Sequence, residues 1–282
     1  MMKDFGDLVE RLRASRVRRR VAVVNPRDEA TAEAVRRAEA EGFVDPVAIG
    51  GDDLQSAAER AVSLAQEGRV DMILKGLIPS ETLLKAIIRH KGGLLPKGGL
   101  LTQIGCVRIP GYHKLLLYTD AAVIPFPTHE QRIQQVRYIA GVCHAMGIEE
   151  PRISLVHCSE EVDVRHFPYT GGYGDIVEMG RAGAFGRCIV GGPLDVKTSC
   201  SSESMLTKGI ESPLGGDADA FVFPDIEAAN TFHKAVTLFA RAEVGSLLQG
   251  TEVPVVMPSR ADNADNKFYG LALAATLGIG KG

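Results

Sequence analysis

The sequence contains no tryptophan, no C-x-x-C pair and no H-E-x-x-H or similar histidine spacing. Its five cysteines are Cys106, Cys143, Cys158, Cys188 and Cys200. An odd number without paired spacing indicates neither a disulfide framework nor a zinc knuckle. Reduced thiols in a cytoplasmic protein are the simple reading. Cys106, Cys158 and Cys188 fall in or beside apolar runs, which predicts core packing rather than catalysis. No apolar segment approaches the roughly 18 residues of a membrane span, and no secretory signal opens the chain. Net charge is only -3, with the signs mixed, so nothing global demands a polyanionic partner. Neither nucleic acid nor a membrane is expected as a partner, and no metal. The local exception is residues 11–20, where six arginines crowd together. No aromatic residues interleave with them, so the solvated face of an N-terminal helix is expected in preference to nucleic-acid binding.

What is abundant is glycine, 31 of 282 residues, placed where strands and helices would turn. Val21–Asn25, Pro46–Ile49 and Val70–Leu74 read as strands, alternating with helical stretches 28–41 and 56–67. A third helix is expected to be capped by Ser80. This alternation implies βαβ units and a parallel sheet. The rhythm then breaks. Residues 104–109 and 114–119 flank Pro110-Gly111 as an antiparallel pair, and Pro125-Phe126-Pro127 leads to a long helix, 129–146, capped by Thr128. The alternation resumes with strands at 153–156, 188–190 and 220–223 and helices near 173–183, 200–207 and 225–245. Thr170-Gly171-Gly172-Tyr173-Gly174 precedes a helix but matches neither G-x-G-x-x-G nor the P-loop, and a plain loop is expected there.

The most informative stretch is Val253-Pro254-Val255-Val256-Met257-Pro258-Ser259-Arg260-Ala261-Asp262-Asn263-Ala264-Asp265. A short apolar run reads as a buried strand, Pro258 stops it, and Asp262, Asn263 and Asp265 are helix-start signals. In an open parallel sheet such a turn lies at the carboxyl end of a strand, where ligands bind. The helix that follows presents free N–H groups to an anion. An arginine placed there holds a phosphate through paired hydrogen bonds, and a serine beside it donates to a developing oxyanion. A capped helix with a surface arginine is the plainer alternative.

Five segments, in order, resemble the phosphate acetyl/butyryltransferase family. They are Lys75-Gly76-Leu77 with Leu84-Lys85-Ala86; Thr119-Asp120-Ala121-Ala122; Gly192-Pro193-Leu194; Lys208 to Asn230, which contains K-G-I-E-S-P-L-G-G-D-A-D and P-D-I-E-A-A-N; and Pro254 to Asp262. The resemblance runs from about residue 21 to the end and fits the butyryl-type branch better than the longer acetyl-type one. It implies an enzyme that moves a short acyl group between coenzyme A and inorganic phosphate, with coenzyme A as substrate and no permanently bound cofactor. It also implies a homodimer. By resemblance Ser259, Arg260 and Asp265 are the catalytic residues: Arg260 for phosphate, Ser259 for the oxyanion, and Asp265 as the acid that takes the thiol proton, with Asp262 close by. Lys75, Gly192, Pro193, Asp225, Glu227 and Asn230 are the expected substrate-binding residues. Lys75 also reads as a surface lysine, Lys85 as a helix-face charge, and Asp225 as a helix cap.

The expected fold is α/β: two three-layer α/β/α lobes with mostly parallel sheets, like isocitrate and isopropylmalate dehydrogenases. Residues 1–127 with 252–282 form the first lobe and 128–251 the second. The active site is expected between the lobes, with Ser259-Arg260 on one wall and residues 191–198 and 225–230 on the other. The chain departs from the family's D-G-P-L and the following D-N at Gly191 and at Lys197-Thr198, and it has Ile124 where the family has Asn. These departures motivate an alternative, a non-catalytic or divergent protein of the same family that binds coenzyme A or acyl phosphate. A metal-dependent decarboxylating dehydrogenase would need clustered aspartates, which the sequence does not show.

Overall fold

The computed structural model describes residues 2–51, 53–89, 92–259 and 261–279. In chain order the elements are α1 (Phe5–Ser15), β1 (Arg19–Val24), α2 (Glu29–Ala40), β2 (Val44–Ile49), α3 (Leu54–Gln66), β3 (Met72–Lys75), α4 (Ser80–Ile88), β4 (Thr102–Arg108) and β5 (Leu116–Thr119). There follow α5 (His129–Ala145), β6 (Arg152–Val156), α6 (Tyr173–Arg181), β7 (Ile189–Leu194), α7 (Val196–Cys200), α8 (Ser202–Lys208), β8 (Ala220–Val222), α9 (Ile226–Phe239), β9 (Glu243–Gln249), β10 (Val255–Val256) and α10 (Ala264–Thr276).

The helix starts have local causes. Asp28 caps α2 by accepting from the Thr31 N–H, and Asp53 caps α3 through the Gln55 N–H. Thr128 opens α5 with a reciprocal capping box to Gln131. Ser80 does not cap α4. It is the first helical residue, behind Pro79, and no side chain caps that end. The sequence expectation of one helix through residue 245 also fails. α9 ends at Phe239, Arg241 takes a left-handed φ of 51°, and β9 follows.

The chain forms two compact units, Asp4–Gln103 with Glu243–Gly282, and Met1–Lys3 with Ile104–Ala242. The division differs from the expected one at both junctions. β5 pairs with β8, and β9 with β10, so residues 104–127 and 243–251 each join the unit opposite to the one expected.

In the first unit the strand order is β2-β1-β3-β10-β9. All pairings are parallel except β10 with β9. Residues 21–24 and 72–75 are buried throughout, the pattern of strands covered on both faces. α1, α2 and α10 pack together, as do α3 and α4. α10 buries nine of its residues, and Tyr269 stacks on Phe5 with ring centroids 4.1 Å apart. In the second unit the order is β4-β5-β8-β6-β7, parallel except for the β4–β5 pair that the Pro110-Gly111 turn predicts. α5 covers β5 and β8, and α6 covers β7. The mostly parallel α/β architecture is the one expected.

The arginine-rich start is solvent-exposed, as expected, and three of its arginines also pair there. Arg13 meets Glu41, Arg18 meets Asp45 and Arg20 meets Asp71. Among the described residues no helix is long and apolar enough to cross a membrane.

Candidate active site

Parallel strands deliver their following turns to one edge of a sheet. In the first unit Val24 aligns with Lys75, and Leu74 with Val256. The turns after β1, β3 and β10 therefore emerge together, at the carboxyl edge where α/β sheets bind ligands.

The turn after β10 carries Ser259, which is exposed. Its N–H donates to Asp262 Oδ2 (2.8 Å), its carbonyl accepts from the Asp262 N–H (3.2 Å), and its Oγ accepts from the Ala261 N–H (3.4 Å). Asp262 thus shapes the turn. Asn263 is the residue that caps α10, accepting from the Asn266 N–H at 2.9 Å. Arg260 lies outside the described residues. Asp265 sits in the first turn of α10, where its carboxylate accepts from Arg37 of α2 at 2.5 Å. The Arg37 guanidinium in turn lies 4.4 Å over the Phe268 ring. Sequence reading gave no sign of Arg37, which is 228 residues away.

Beneath this surface pair Lys267, 4% exposed, donates to Asp28 (2.6 Å) and to Thr31 Oγ1 (2.8 Å). Burial alone raises the Asp28 carboxyl, but hydrogen bonds from Lys267 and Thr31 outweigh it and hold the group below its ordinary value. The cap of α2 is therefore also the anchor of α10.

Lys75 is 2% exposed, which overturns the surface-lysine alternative. It closes β3, and its Nζ donates to the Ile78 carbonyl at 3.4 Å. Gly76 has no room for a side chain, since a Cβ there would lie 2.6 Å from the carbonyl oxygens of Val24 and Asn25. Asn25, with φ 53°, donates through Nδ2 to the Leu77 carbonyl at 2.6 Å. Lys85 lies on the exposed helix face and pairs with Glu81 at 2.7 Å.

In the second unit the turns after β5, β6, β7 and β8 share a carboxyl edge in the same way. Asp120, 2% exposed, accepts from the N–H groups of Ala122, Val123 and Ile124 at 2.9, 2.9 and 3.2 Å. Ile124 itself is buried. Gly191 faces Leu214, and a Cβ there would stand 2.9 Å from Leu214 Cγ and 3.2 Å from Ser212 Oγ. Gly192, φ 146°, lies against β6, where a Cβ would be 2.6 Å from the Leu155 carbonyl; the Gly192–Pro193 peptide is cis.

Asp195 follows, capping α7 through the Thr198 N–H at 2.6 Å. Lys208 bridges Asp195 (2.7 Å) and Glu160 (2.9 Å), and Thr198 Oγ1 donates to Glu160 at 3.0 Å. Burial opposes ionisation of Asp195, but hydrogen bonds from Lys208 and Thr198 prevail and bring it down to about 2. These contacts join the Gly192-Pro193-Leu194 and Lys208-Gly209 segments. Lys197 is exposed. Nothing in the sequence pointed to Glu160.

Asp225 caps α9 through the Ala228 N–H at 2.8 Å, as its helix-cap reading expects. Glu227 is exposed in the first turn of that helix. Asn230 Nδ2 donates to the Ala121 carbonyl at 3.0 Å, tying α9 to the turn after β5. Arg132 of α5, 2% exposed, donates to the carbonyls of Phe223 (2.9 Å) and Pro224 (3.1 Å). It was not anticipated and fixes the turn that carries Asp225. Asp217 and Asp219 of the D-A-D segment pair with the buried Lys114 at 3.0 and 2.6 Å, a role in the fold.

Cys106 and Cys143 are buried, whereas Cys158 is exposed, against the expectation of core packing. β6 ends at Val156, so the apolar run is over before the thiol. Among the described residues no group of three or more His, Cys, Asp and Glu is placed to hold a metal ion.

The family model described as phosphate acetyl/butaryl transferase matches residues 52–275. The chain is 30% identical to a phosphate butyryltransferase of Clostridium acetobutylicum, over 98% of each sequence. It is 32% identical to a phosphate acetyltransferase of Thermotoga maritima, over 91% of this chain and 94% of that one. A crystal structure of a branched-chain phosphotransacylase from Enterococcus faecalis V583 superposes with a TM-score of 0.80 at 27% identity, covering 92% of this chain and 98% of the other. With the K-G-L, G-P-L, K-G-I-E-S and P-D-I-E-A-A-N segments placed at the ends of strands and helices or at a helix start, these similarities show that the chain belongs to the phosphate acetyl/butyryltransferase family.

Proposed function

We propose that the protein transfers a short acyl group between coenzyme A and inorganic phosphate, converting acyl-CoA and phosphate to acyl phosphate and free coenzyme A. The observation that carries this reading is family membership over residues 52–275, together with the Ser259 turn at the carboxyl edge of a parallel sheet.

The reaction needs a seat for phosphate, donors for a tetrahedral oxyanion, and a group that exchanges a proton with the thiol. Arg260 holds phosphate in this reading, and the Ser259 hydroxyl donates to the oxyanion. Asp265 exchanges the thiol proton, with Arg37 fixing its orientation. Lys75 brings a buried cation to the same edge as Ser259. Gly192 and Pro193 contribute the backbone at the end of β7 in this reading. Asp225 and Asn230 hold their own turns in shape, and Glu227 remains exposed for a substrate contact. Coenzyme A enters as substrate, with no resident cofactor. A homodimer fits the exposed Leu206, Leu238 and Phe239, and five free cysteines fit a reducing cytoplasm.

The decisive measurement is coenzyme A release from acyl-CoAs of two to eight carbons, with and without phosphate and in the presence of a chelator. Phosphate-dependent release from at least one of them is expected. No release across the series overturns the enzyme reading and leaves the binding-protein alternative.

A further inference from the structure

Immediately beyond β6 stand His157 and Cys158, which the proposed chemistry does not use. Cys158 is exposed, whereas the His157 side chain is 4% exposed. The His157 Nε2 lies 3.7 Å from Cys158 Sγ, within hydrogen-bonding distance for sulfur. On the other side of the ring, Nδ1 lies 2.9 Å from the Tyr169 hydroxyl. Phe167 and Tyr169 pack edge-on against the imidazole at 4.7 and 5.6 Å between centroids. The His157 N–H donates to the Leu194 carbonyl at 2.8 Å, so the pair is fixed beside the strand end that carries Gly192 and Pro193.

A nucleophile, a base within reach and a third group that orients the base make up the arrangement of an activated thiol. When Nδ1–H donates to the Tyr169 oxygen, Nε2 is left to accept the thiol proton. Burial lowers the His157 imidazole from its ordinary value against the raising pull of Asp163 and Glu160, so the ring is neutral and able to accept at neutral pH. Burial pushes Tyr169 up to about 12, so it remains a phenol. The two nearby acids are engaged elsewhere, Asp163 with His166 and Glu160 with Lys208 and Thr198. The other thiols are less exposed than this one. Cys106 and Cys143 are buried, and burial raises Cys188 and brings Cys200 up to about 11.

We propose that Cys158 is a nucleophilic thiol, with His157 as its base, that accepts an acyl group from a thioester. The thiol proton passes to His157 Nε2, and the Cys158 sulfur attacks the thioester carbonyl carbon. The new C–S bond forms, the bond to the coenzyme A sulfur breaks, and the leaving thiolate takes the proton back from His157. The products are S-acyl-Cys158 and free coenzyme A, with no change of oxidation state. The choice of acyl-CoA as donor rests on the proposed function. The reactivity of the thiol does not.

Two measurements keep those apart. The full chain is first treated with iodoacetamide and the alkylated peptides are timed by mass spectrometry. Cys158 is expected to react before Cys188 and Cys200. His157→Gln should slow it by about 10²-fold, the low end for loss of a general base. Tyr169→Phe, which keeps the ring packing, should slow it less. Alkylation of Cys158 at an unchanged rate in both variants, or no faster than Cys188 and Cys200, overturns the proposal. The chain is then incubated with a short acyl-CoA without phosphate. One acyl group on Cys158, released by neutral hydroxylamine and absent from Cys158→Ser, is the expected result. Fast alkylation without acylation overturns acyl transfer to this residue. Acylation in a protein that shows no phosphate-dependent coenzyme A release leaves this inference standing and removes the proposed function instead.

Discussion

At the scale of single residues, the proposed chemistry turns on groups that begin α10. Arg260 follows β10 closely and precedes a helix start, so its planar fork suits a phosphate. Lysine keeps the charge and loses the paired donors. Hydrogen bonds to charged groups contribute about 1.5–3 kcal/mol each, so Arg260→Lys and Arg260→Ala should both lower kcat/KM for phosphate by on the order of 10²-fold or more. Near-normal turnover of Arg260→Lys at low phosphate removes Arg260 from the reading. Asp265 and Asp262 are separated by what each touches, Arg37 for the first and the Ser259 N–H for the second. If Asp265 exchanges the thiol proton, Asp265→Asn should lower kcat by about 10²–10⁴-fold with little change in the KM for phosphate. Asp262→Asn should do less, and the reverse order would assign the proton to Asp262. Gly191 replaces an acid of the family pattern, and here the space is already taken by Leu214. Gly191→Asp should cost about 1–3 kcal/mol by overpacking, read as a lower denaturation midpoint. Leu214→Ala in the same chain should recover part of it, and an unchanged midpoint in Gly191→Asp would show that the pocket yields.

At the scale of elements, the Thr128 cap, the helix start at Asp28 and the antiparallel pair at Pro110-Gly111 were legible because their signals are local, whereas the Ser80 cap and the end of β7 were not. Asp28, Thr128 and the Pro110-Gly111 turn act within a few residues of themselves. β9 was not legible, because good helix formers precede Glu243 and nothing in its neighbours shows that Leu248 will pair with Val255. The burial of Lys75 and the pairing of Asp265 with Arg37 were hidden for the same reason, since both depend on contacts made only after the sheet assembles. The Lys208–Asp195–Glu160 bridge is another such contact and has a pH signature. Asp195 is lowered to about 2 in the fold. A depressed carboxyl contributes stability above its unfolded value of about 3.9, and that contribution fades as pH falls toward the folded value. The part of acid destabilisation that falls between about pH 4 and about pH 2 should therefore be smaller in Asp195→Asn. Thermal melts across that range check it, and parallel curves for the two proteins would deny Asp195 the role.

At the scale of the whole molecule, the exposed apolar residues bear on the proposed homodimer. α9 is 14 residues long and its one fully buried residue is Ala229. Phe232 and His233 face the sheet, the first against Tyr118 and Phe221 and the second hydrogen-bonded to the Tyr118 hydroxyl at 2.7 Å. Towards its end Leu238 is 71% and Phe239 83% exposed, and Leu206 at the end of α8 is 81% exposed. Single exposed apolar residues need no explanation, but two large ones side by side at the end of α9 suit an interaction surface. The proposed occupant is a second copy of this chain, because a two-fold contact sets the same patch against itself and lets one apolar face cover its twin. A charge placed on that face then appears twice and close to its copy, so one substitution both removes apolar area and adds like-charge repulsion. Light scattering on the eluting protein should give about twice the 30.2 kDa of one chain. Leu238→Glu with Phe239→Glu should bring it to the mass of a single chain, with circular dichroism unchanged because neither side chain supports the core. A wild-type mass of one chain, or a dimer indifferent to both charges, would place the contact elsewhere or dismiss it.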